Sequence, residues 1–572
     1  MPVNRPKQTG HIGRSRRRIS ATSLTTFQRC PGQRLLKTQV GLQQKISAPM
    51  VLGHVLEDAI ISLLMKHPPL CRSEEELNAW CMNQIDELVE QAVENFDERV
   101  SVMPTTTISI ESSELDAEEI HRRIENGVKL IFSEVKRCVE QNGGPYLDAY
   151  RKGQQVFDVP APSHGLEPTF PYPEYVQSHI HYTPTEHPSW AKDGEVTWNE
   201  AWEISRPWFK DPRISQPQRL FHPDDWASGE LDLVYRWDGH IHIIDIKSGR
   251  SSSPFASSLQ TQLEFYSWLW YHCFDKSLPT KISGWYLGDA EEVEYDALTS
   301  DDMEKMDVLY WSIHQEMKSL TQGIVLFPLP KELACDGEAA GCSWCSAKLN
   351  KEVLTLKTHN SHTEIQRPKK AESPYQMISS IDSKVDVRGK LSGGWGPLPN
   401  HFGEYVLGAI LVVGEQHVVV EENEPGVFPT LHQHLDSEIM IKGASSGVWR
   451  NQPRLYLDDS TIISTIEQET TTTFTRLGLL QTRANIQGTI LSSSYQKGIR
   501  MNGKPWSMLA FSIWDGEHVV ELVAFGSSIS TTLKELQIGS QVKIMSAEIG
   551  WRNGLLQLRF DSRKTRIDVQ ET

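Results

Sequence analysis

No stretch of 18 consecutive apolar residues occurs in the chain, which excludes the simplest membrane-spanning helix. The first residues also lack the apolar centre of a secretory signal and end in Arg14-Ser-Arg-Arg-Arg18. A soluble, cytoplasmic protein is therefore expected, with no membrane partner and with residues 1–18 as a disordered basic arm. Positive charge is scarce: 57 Lys and Arg against 74 Asp and Glu leave a net −17, which excludes a generally basic coat for nucleic acid. Any nucleic-acid path must be local. Cysteine is sparse as well; eight in 572 residues are too few for a disulfide scaffold, so clustered cysteines are read first as ligands. No G-x-x-x-x-G-K-[ST] loop is present, so a P-loop unwinding motor would have to be a separate protein. The length excludes a single core and leaves room for two to four domains.

The most informative stretch is Gly229-Glu-Leu-Asp-Leu-Val-Tyr-Arg-Trp-Asp-Gly-His-Ile-His-Ile-Ile-Asp-Ile-Lys-Ser-Gly249. Asp238-Gly239 between two β-rich runs signals a hairpin, and a two-residue type I′ loop sets Trp237 across from His240. Counting back places Asp232 opposite Asp245 and Glu230 opposite Lys247 on one face, with Leu231, Leu233, Ile244 and Ile246 on the other. Two directly opposed aspartates repel. A magnesium or manganese ion between them suits their hard oxygen donors, and Lys247 beside it supplies positive charge for phosphodiester hydrolysis.

On these residues the chain resembles the RecB-like branch of the PD-(D/E)xK nucleases. Gly229 to Asp232 match its "GxxD" element, Asp245-Ile246-Lys247-Ser248-Gly249 its "DxKxG" element, and Gln262-Leu-Glu-Phe-Tyr266 its "QxxxY" helix. Gly53-His-Val-Leu-Glu57 resembles the helix in which that family carries a His or Glu metal ligand; the register gives Glu57, with His54 as the alternative. The resemblance implies an α/β restriction-endonuclease-like core over residues 19–348. Its metal would be held by Glu57 or His54, Asp232, Asp245 and the Ile246 carbonyl, with Lys247 at the attacking water and Gln262 and Tyr266 positioning the strand.

Helical stretches from Ser73 to Val100 and from Ser113 to Gln141 suggest a helical insert at about 70–150. Glu195–Ile204 reads as a core strand with Trp198 and Trp202 as packing aromatics, Ser257–Phe274 as a helix, Lys281–Tyr295 as two strands and Ser300–Gln322 as a helix. Cys71, Cys81, Cys138 and Cys273 are isolated and read as buried thiols. Cys335, Cys342 and Cys345 lie within eleven residues. Cys30, in Cys-Pro, stands where iron–sulfur members of the resembled family place their first cluster cysteine. The four together suit a [4Fe–4S] cluster, with a Cys₄ zinc site as the rival.

Residues 349–400 are polar and read as a linker. Beyond them β-branched alternation sets in and an internal repeat appears: Ser437–Ser460 parallels Ser540–Ser562, each with a Trp-Arg-Asn turn, at Trp449 and Trp551. Two units of short strands, 401–465 and 484–570, have the size of all-β OB-fold barrels, and the second resembles those of replication-protein-A-like single-strand binders. Stacking on Trp449, Trp506, Trp551 or Phe560, backed by Lys504, Arg552 and Arg559, is what single-strand binding would use. The expected activity is a metal-dependent deoxyribonuclease, an exonuclease on single-stranded DNA or DNA ends. Its setting would be repair, recombination or CRISPR adaptation, beside a separate helicase or recombination protein. A single-strand-binding scaffold and an RNA nuclease are the alternatives.

Overall fold

The computed structural model describes residues 18–41, 48–102, 116–152, 194–209, 220–224, 226–252, 257–320, 325–329, 333, 365–381, 384–399, 405–423, 431–449, 452–458, 461–466, 473–499, 505–552 and 555–570. The basic arm before Arg18, the cysteines at 335, 342 and 345, and Lys504 lie outside them, as does the side chain of Arg552. Among the described residues no helix is long and apolar enough to cross a membrane. The chain forms two units, one of Arg18–Thr25 with Lys45–Gln315, the other of Met1–Arg17, Thr26–Gln44 and Glu316–Thr572.

Helices α1 (Ala21–Arg29) and α2 (Pro31–Thr38) precede α3 (Ala48–Leu64), α4 (Glu74–Met82), α5 (Ile85–Val102), α6 (Ala117–Glu140), α7 (Leu147–Arg151) and α8 (Trp198–Ile204). Ser73 caps α4 and Asp116 caps α6 through side-chain bonds to free amides of the first turn. The expected helix from Ser73 to Val100 is two helices, parted at Asn83 and Gln84. Glu195–Ile204 is not a strand. Thr197 and Glu200 form a capping box, two reciprocal bonds that satisfy amides only a helix start leaves free, so the segment turns into α8. Its tryptophans do pack: Trp202 is buried, and Trp198 stacks on Phe132 at 5.9 Å.

The first unit centres on a sheet ordered β1-β4-β5-β6-β7, made of β1 (Trp208–Phe209), β4 (Leu233–Tyr235), β5 (His242–Lys247), β6 (Lys281–Tyr286) and β7 (Glu291–Tyr295); β2 (Leu220–Phe221) and β3 (Ser228–Gly229) pair separately. Helix α9 (Ser257–Cys273) makes the crossover between the parallel strands β5 and β6, and α10 (Ser300–Leu320) follows β7. One sheet face buries Leu233, Tyr235, Trp237, Ile244, Ile246 and Trp285 in a core shared with Val55, Leu56 and Ile60 of α3, Phe96 of α5 and Ile124 and Ile131 of α6. Cys71, Cys81, Cys138 and Cys273 are all buried, as expected of isolated thiols.

In the second unit β8 (Val325–Leu326) precedes two barrels. The first comprises β9 (Val385–Pro399), β10 (Tyr405–Val413), β11 (Gln416–Asn423), β12 (Glu438–Trp449) and β13 (Gln452–Leu457). They close as β9-β10-β11-β13-β12-β9, with β11 and β13 parallel and β14 (Ile462–Thr465) added to β12. The second repeats this order with β15 (Arg483–Ile499), β16 (Pro505–Trp514), β17 (His518–Phe525), β18 (Gln541–Arg552) and β19 (Leu555–Arg559). Helix α11 (Thr531–Lys534) lies between β17 and β18, and β20 (Arg566–Gln570) pairs with β18. The repeated Trp-Arg-Asn segments fall between the antiparallel neighbours β12 and β13 and between β18 and β19.

The expected linker, 349–400, is overturned over its second half. Val385–Pro399 is the first strand of the first barrel, and Ile378 and Ile381 enter the core of the second. Gly393 and Gly396 have positive φ, and register shifts break the pairing of β9 with β10, so this strand bends and lacks the alternation that marks a flat one. The outer face of the second barrel is covered by Leu36 of α2, by Val40 just past its end and by Phe327, which pack on Leu491, Trp514 and Val519. Within the second barrel a Cβ on Gly488 would lie 2.4 Å from the Trp514 carbonyl oxygen, backbone that cannot step aside. Gly488→Ala is therefore expected to destabilise this unit by about 1–3 kcal/mol, read as a lowered urea midpoint.

Candidate active site

The hairpin that carries the site folds in the expected register by a different turn. Leu233 pairs with Ile244 and Tyr235 with His242, a ladder that sets Asp232 across from Asp245. The loop is not type I′: the Gly239 amide bonds the Arg236 carbonyl, and of Asp238 and Gly239 only the glycine has positive φ. Asp238 instead uses its carboxylate to accept the His240 amide, so the turn is wider by whole residue pairs and the facing set is unchanged. Gly229 is required by close approach, since a Cβ there would sit 3.1 Å from the Tyr266 ring and 3.0 Å from Leu269 of α9. Gly284, beside Asp245 on β6, makes room in the same way for Leu259 at the start of α9.

Asp232, Asp245 and Lys247 converge at the end of β5. Asp232 accepts the Ile246 amide at 2.8 Å, and Lys247 Nζ lies 2.5 Å from Asp245 Oδ2. Lys247 also donates to Gln262 Oε1 at 3.2 Å, and Gln262 donates to the Tyr266 hydroxyl at 2.9 Å. The QxxxY side chains thus form a chain running into the lysine. Glu57 is nearly buried; its charge acts on Asp232, Asp245 and Lys247 alike. His54, one turn earlier and 63% exposed, lies 3.9 Å from Glu57.

The electrostatics follow from crowding. Burial, then Glu57 and Asp245, push the Asp232 carboxyl well above the usual range, against the Lys247 charge and the Ile246 bond. Burial raises Asp245 too, although Lys247 opposes it. Burial alone would lower Lys247, but Asp245 and Asp232 outweigh it and hold the ammonium above its ordinary value. Tyr266 is driven well up by burial and by Asp245 and Asp232, with Glu230 adding to them, so its hydroxyl stays protonated.

A hard divalent cation fits this set. Asp245 is 1% exposed, and the ammonium of Lys247 beside its Oδ2 is a single charge set against the carboxylates of Asp245, Asp232 and Glu57. Mutually repelling carboxylates of this kind are relieved by a positive ion among them.

A second cluster, missed at the sequence level, lies on the opposite face of the sheet: donor atoms of Glu134, His242 and Glu292 fall within 4.8 Å of one another. It is already neutralised. Arg137 Nη1 bonds Glu134 at 2.6 Å and Trp237 Nε1 donates to it at 3.1 Å, while Glu292 takes Lys281 at 2.9 Å and the Ser283 hydroxyl at 2.7 Å. Burial, Lys281 and Arg137 push the His242 imidazole down to about 2, so it stays neutral beside Ser283. The only sequence signal was a polar residue at an inward position of β5. Trp237→Phe leaves the buried Glu134 carboxylate short of a donor and is expected to destabilise the unit by about 1–3 kcal/mol in thermal denaturation while sparing the opposite face.

Residues 205–348 match the model of the PD-(D/E)XK nuclease superfamily. The matched span holds Asp232, Asp245, Lys247, Gln262 and Tyr266 and excludes Glu57. No curated protein matches the chain. Among solved structures it is similar to a replication protein A heterotrimer bound to single-stranded DNA, at 12% identity over 34% of this chain and 52% of that one, with a TM-score of 0.14. The chain thus spans about half the length of that protein. It is also similar to a murine DNA-binding protein bound with double-stranded DNA (10% identity, 33% of this chain, 96% of that one, TM-score 0.13). A third likeness is to the OB domain of Ta0387 from Thermoplasma acidophilum (22% identity, 17% and 82%, TM-score 0.14). TM-scores of this size establish no shared fold.

The nucleic-acid residues expected in the barrels are placed as follows. Trp551 and Phe560 pack against the core of the second barrel, with Lys384 Nζ 5.4 Å over the Trp551 ring. Trp506 packs on Met508, Ala510 and Val523, outside that core. The charge of Arg559 acts on Tyr456 of the first barrel, and β12 packs on β18. Trp449 pairs with Gln452 at the end of β12 and is half-buried.

Proposed function

We propose that this protein is a metal-dependent deoxyribonuclease of the RecB-like kind, acting as an exonuclease on single-stranded DNA or DNA ends. The convergence of Glu57, Asp232 and Asp245 with Lys247 at one end of β5 carries the reading. Magnesium or manganese held by Glu57, Asp232, Asp245 and the Ile246 carbonyl would neutralise phosphate charge and acidify a water. Lys247 acts as a cation, since its neighbours keep it protonated; it stabilises charge developing on the phosphate, and Gln262 and Tyr266 hold its ammonium in place. The five-strand order of each barrel, with its parallel closing pair, supports two OB-folds that present the strand. In that role Trp551, Phe560 and Arg559 shape the barrel wall, and Trp449, Trp506, Lys504 and Arg552 are the candidate contacts.

A [4Fe–4S] cluster on Cys30, Cys335, Cys342 and Cys345, with zinc as the rival metal, belongs to the same proposal. It is supported by the place of Leu333, close in sequence to Cys335, beside the start of α2. Cys30 caps α2, and a Cβ on Gly32 would lie 2.3 Å from the carbonyl of Leu333, two residues before Cys335. Iron and sulfide analysis with the visible spectrum of anaerobically purified protein distinguishes cluster from zinc.

Strands labelled at the 5′ or the 3′ end, with circular DNA as a control, test the exonuclease reading. Mononucleotide release from one end only and an intact circle support it. A cut circle identifies an endonuclease, and preferential degradation of RNA of the same sequence identifies an RNA nuclease.

A further inference from the structure

Near the C-terminal end of α9, the first unit holds a cavity of about 930 Å³ lined by His222, Asp224, Trp226, His272, Asp307 and Trp311 among others. None of these residues takes part in the proposed cleavage. The walls are aromatic. Trp226 meets Trp311 edge-on at 5.3 Å, and the His222 ring stacks on Trp268 at 5.2 Å and lies 4.7 Å from His272. Trp311 is 47% exposed and continues into exposed Val308, three residues earlier on the same side of α10 and also in the cavity wall, an apolar flank of the kind that marks a protein contact.

The charge is acidic. Asp224, Asp275 and Asp307 line the cavity against one ammonium, Lys276. Asp307 is held in place by Trp268 Nε1 and His272 Nε2, both at 2.7 Å, while Asp224 is 82% exposed at the rim. Helix α9 ends at Cys273 and brings the negative end of its dipole to the same wall. Such surroundings repel a phosphate backbone and favour a cation on aromatic faces. Guanidinium suits them better than ammonium, because it stacks flat on an indole while bonding a carboxylate through two N–H groups. The chain already sets a guanidinium on an aromatic ring at the residue next to His222, where Arg18 Cζ lies 4.6 Å over the ring of Phe221.

We propose that this pocket is a docking site for an arginine-bearing, otherwise apolar segment of a partner protein. The guanidinium stacks on Trp311, which Trp226 backs, and pairs with Asp307 and Asp224, and a neighbouring apolar side chain covers Val308.

Fluorescence anisotropy of the full chain with a labelled Gly-Leu-Arg-Leu-Gly peptide tests this directly, against the same peptide carrying citrulline, which keeps the shape and removes the charge. Arginine is expected to bind at least about tenfold tighter than citrulline. Trp311→Ala and Asp224→Asn, both at exposed positions, are each expected to weaken binding by about threefold or more with DNA cleavage and circular dichroism unchanged. Equal binding of the two peptides overturns the proposal. So does displacement of the peptide by oligothymidylate, which would make the pocket a base-stacking site. So does binding that appears only after Arg14, Arg16 and Arg17 are replaced with serine, which would assign the pocket to this chain's own segment.

Discussion

Replacing Lys247 with alanine is expected to lower the single-turnover rate of DNA cleavage by about 10²- to 10³-fold, the range for loss of one preorganised charge at a reacting centre. The lysine touches Asp245 and Gln262, and its neighbours keep it protonated, so the substitution removes a positive charge without removing a carboxylate. Manganese binding, followed by calorimetry, should survive and strengthen slightly, since an ammonium competing for Asp245 is gone. Rate and ion affinity moving in opposite directions is a signature that general unfolding would not give. Lys247→Arg, which restores charge with a different shape, is expected to recover only part of the rate.

Asp245→Asn is expected to be more stable than the unmodified protein when no divalent ion is present. Asp245 and Asp232 both have folded-state pKa values above the ordinary aspartate range, with the attraction of Lys247 already included. A carboxyl raised on folding stabilises the folded state fully below its unfolded value of about 3.9, and this contribution is lost as pH rises through the folded value. Stability of the ion-free protein should therefore fall as pH climbs from about 4 towards neutrality, and the asparagine variant should escape part of that fall. At neutral pH its melting temperature should stand about 2–4 °C higher, a difference that closes near pH 4. Manganese reverses the order. At a hundredfold excess over Kd the unmodified protein gains about 2.7 kcal/mol, while the variant, lacking a ligand, gains little. A variant no more stable than its parent in chelator, or equal stabilisation of both by manganese, would contradict the ion site.

Local signals made the hairpin of Asp232, Asp245 and Lys247 legible. Asp238-Gly239, the alternation on either side of it and the spacing of Asp245 and Lys247 fixed which residues face one another, and the ladder agrees even though the turn differs. The twin barrels were visible as a repeat because each needs the same hairpin around Trp449 and Trp551. Val385–Pro399 was not, because the glycines that let a strand bend into a barrel also give it the composition of a linker. Thr197 and Glu200 carried a helix-start signal that the surrounding tryptophans masked. The Glu134–His242–Glu292 network and the aromatic pocket assemble residues from distant elements, and no window of sequence contains either.

Cleavage of end-labelled single-stranded DNA by anaerobically purified protein, with magnesium or manganese and with chelator, beside the Asp245→Ala variant, tests the nuclease most directly. The expected result is shortening that requires the ion and vanishes in the variant while DNA binding persists. Binding of DNA by the unmodified protein without ion-dependent cleavage would contradict it and leave a single-strand-binding scaffold built on a nuclease core.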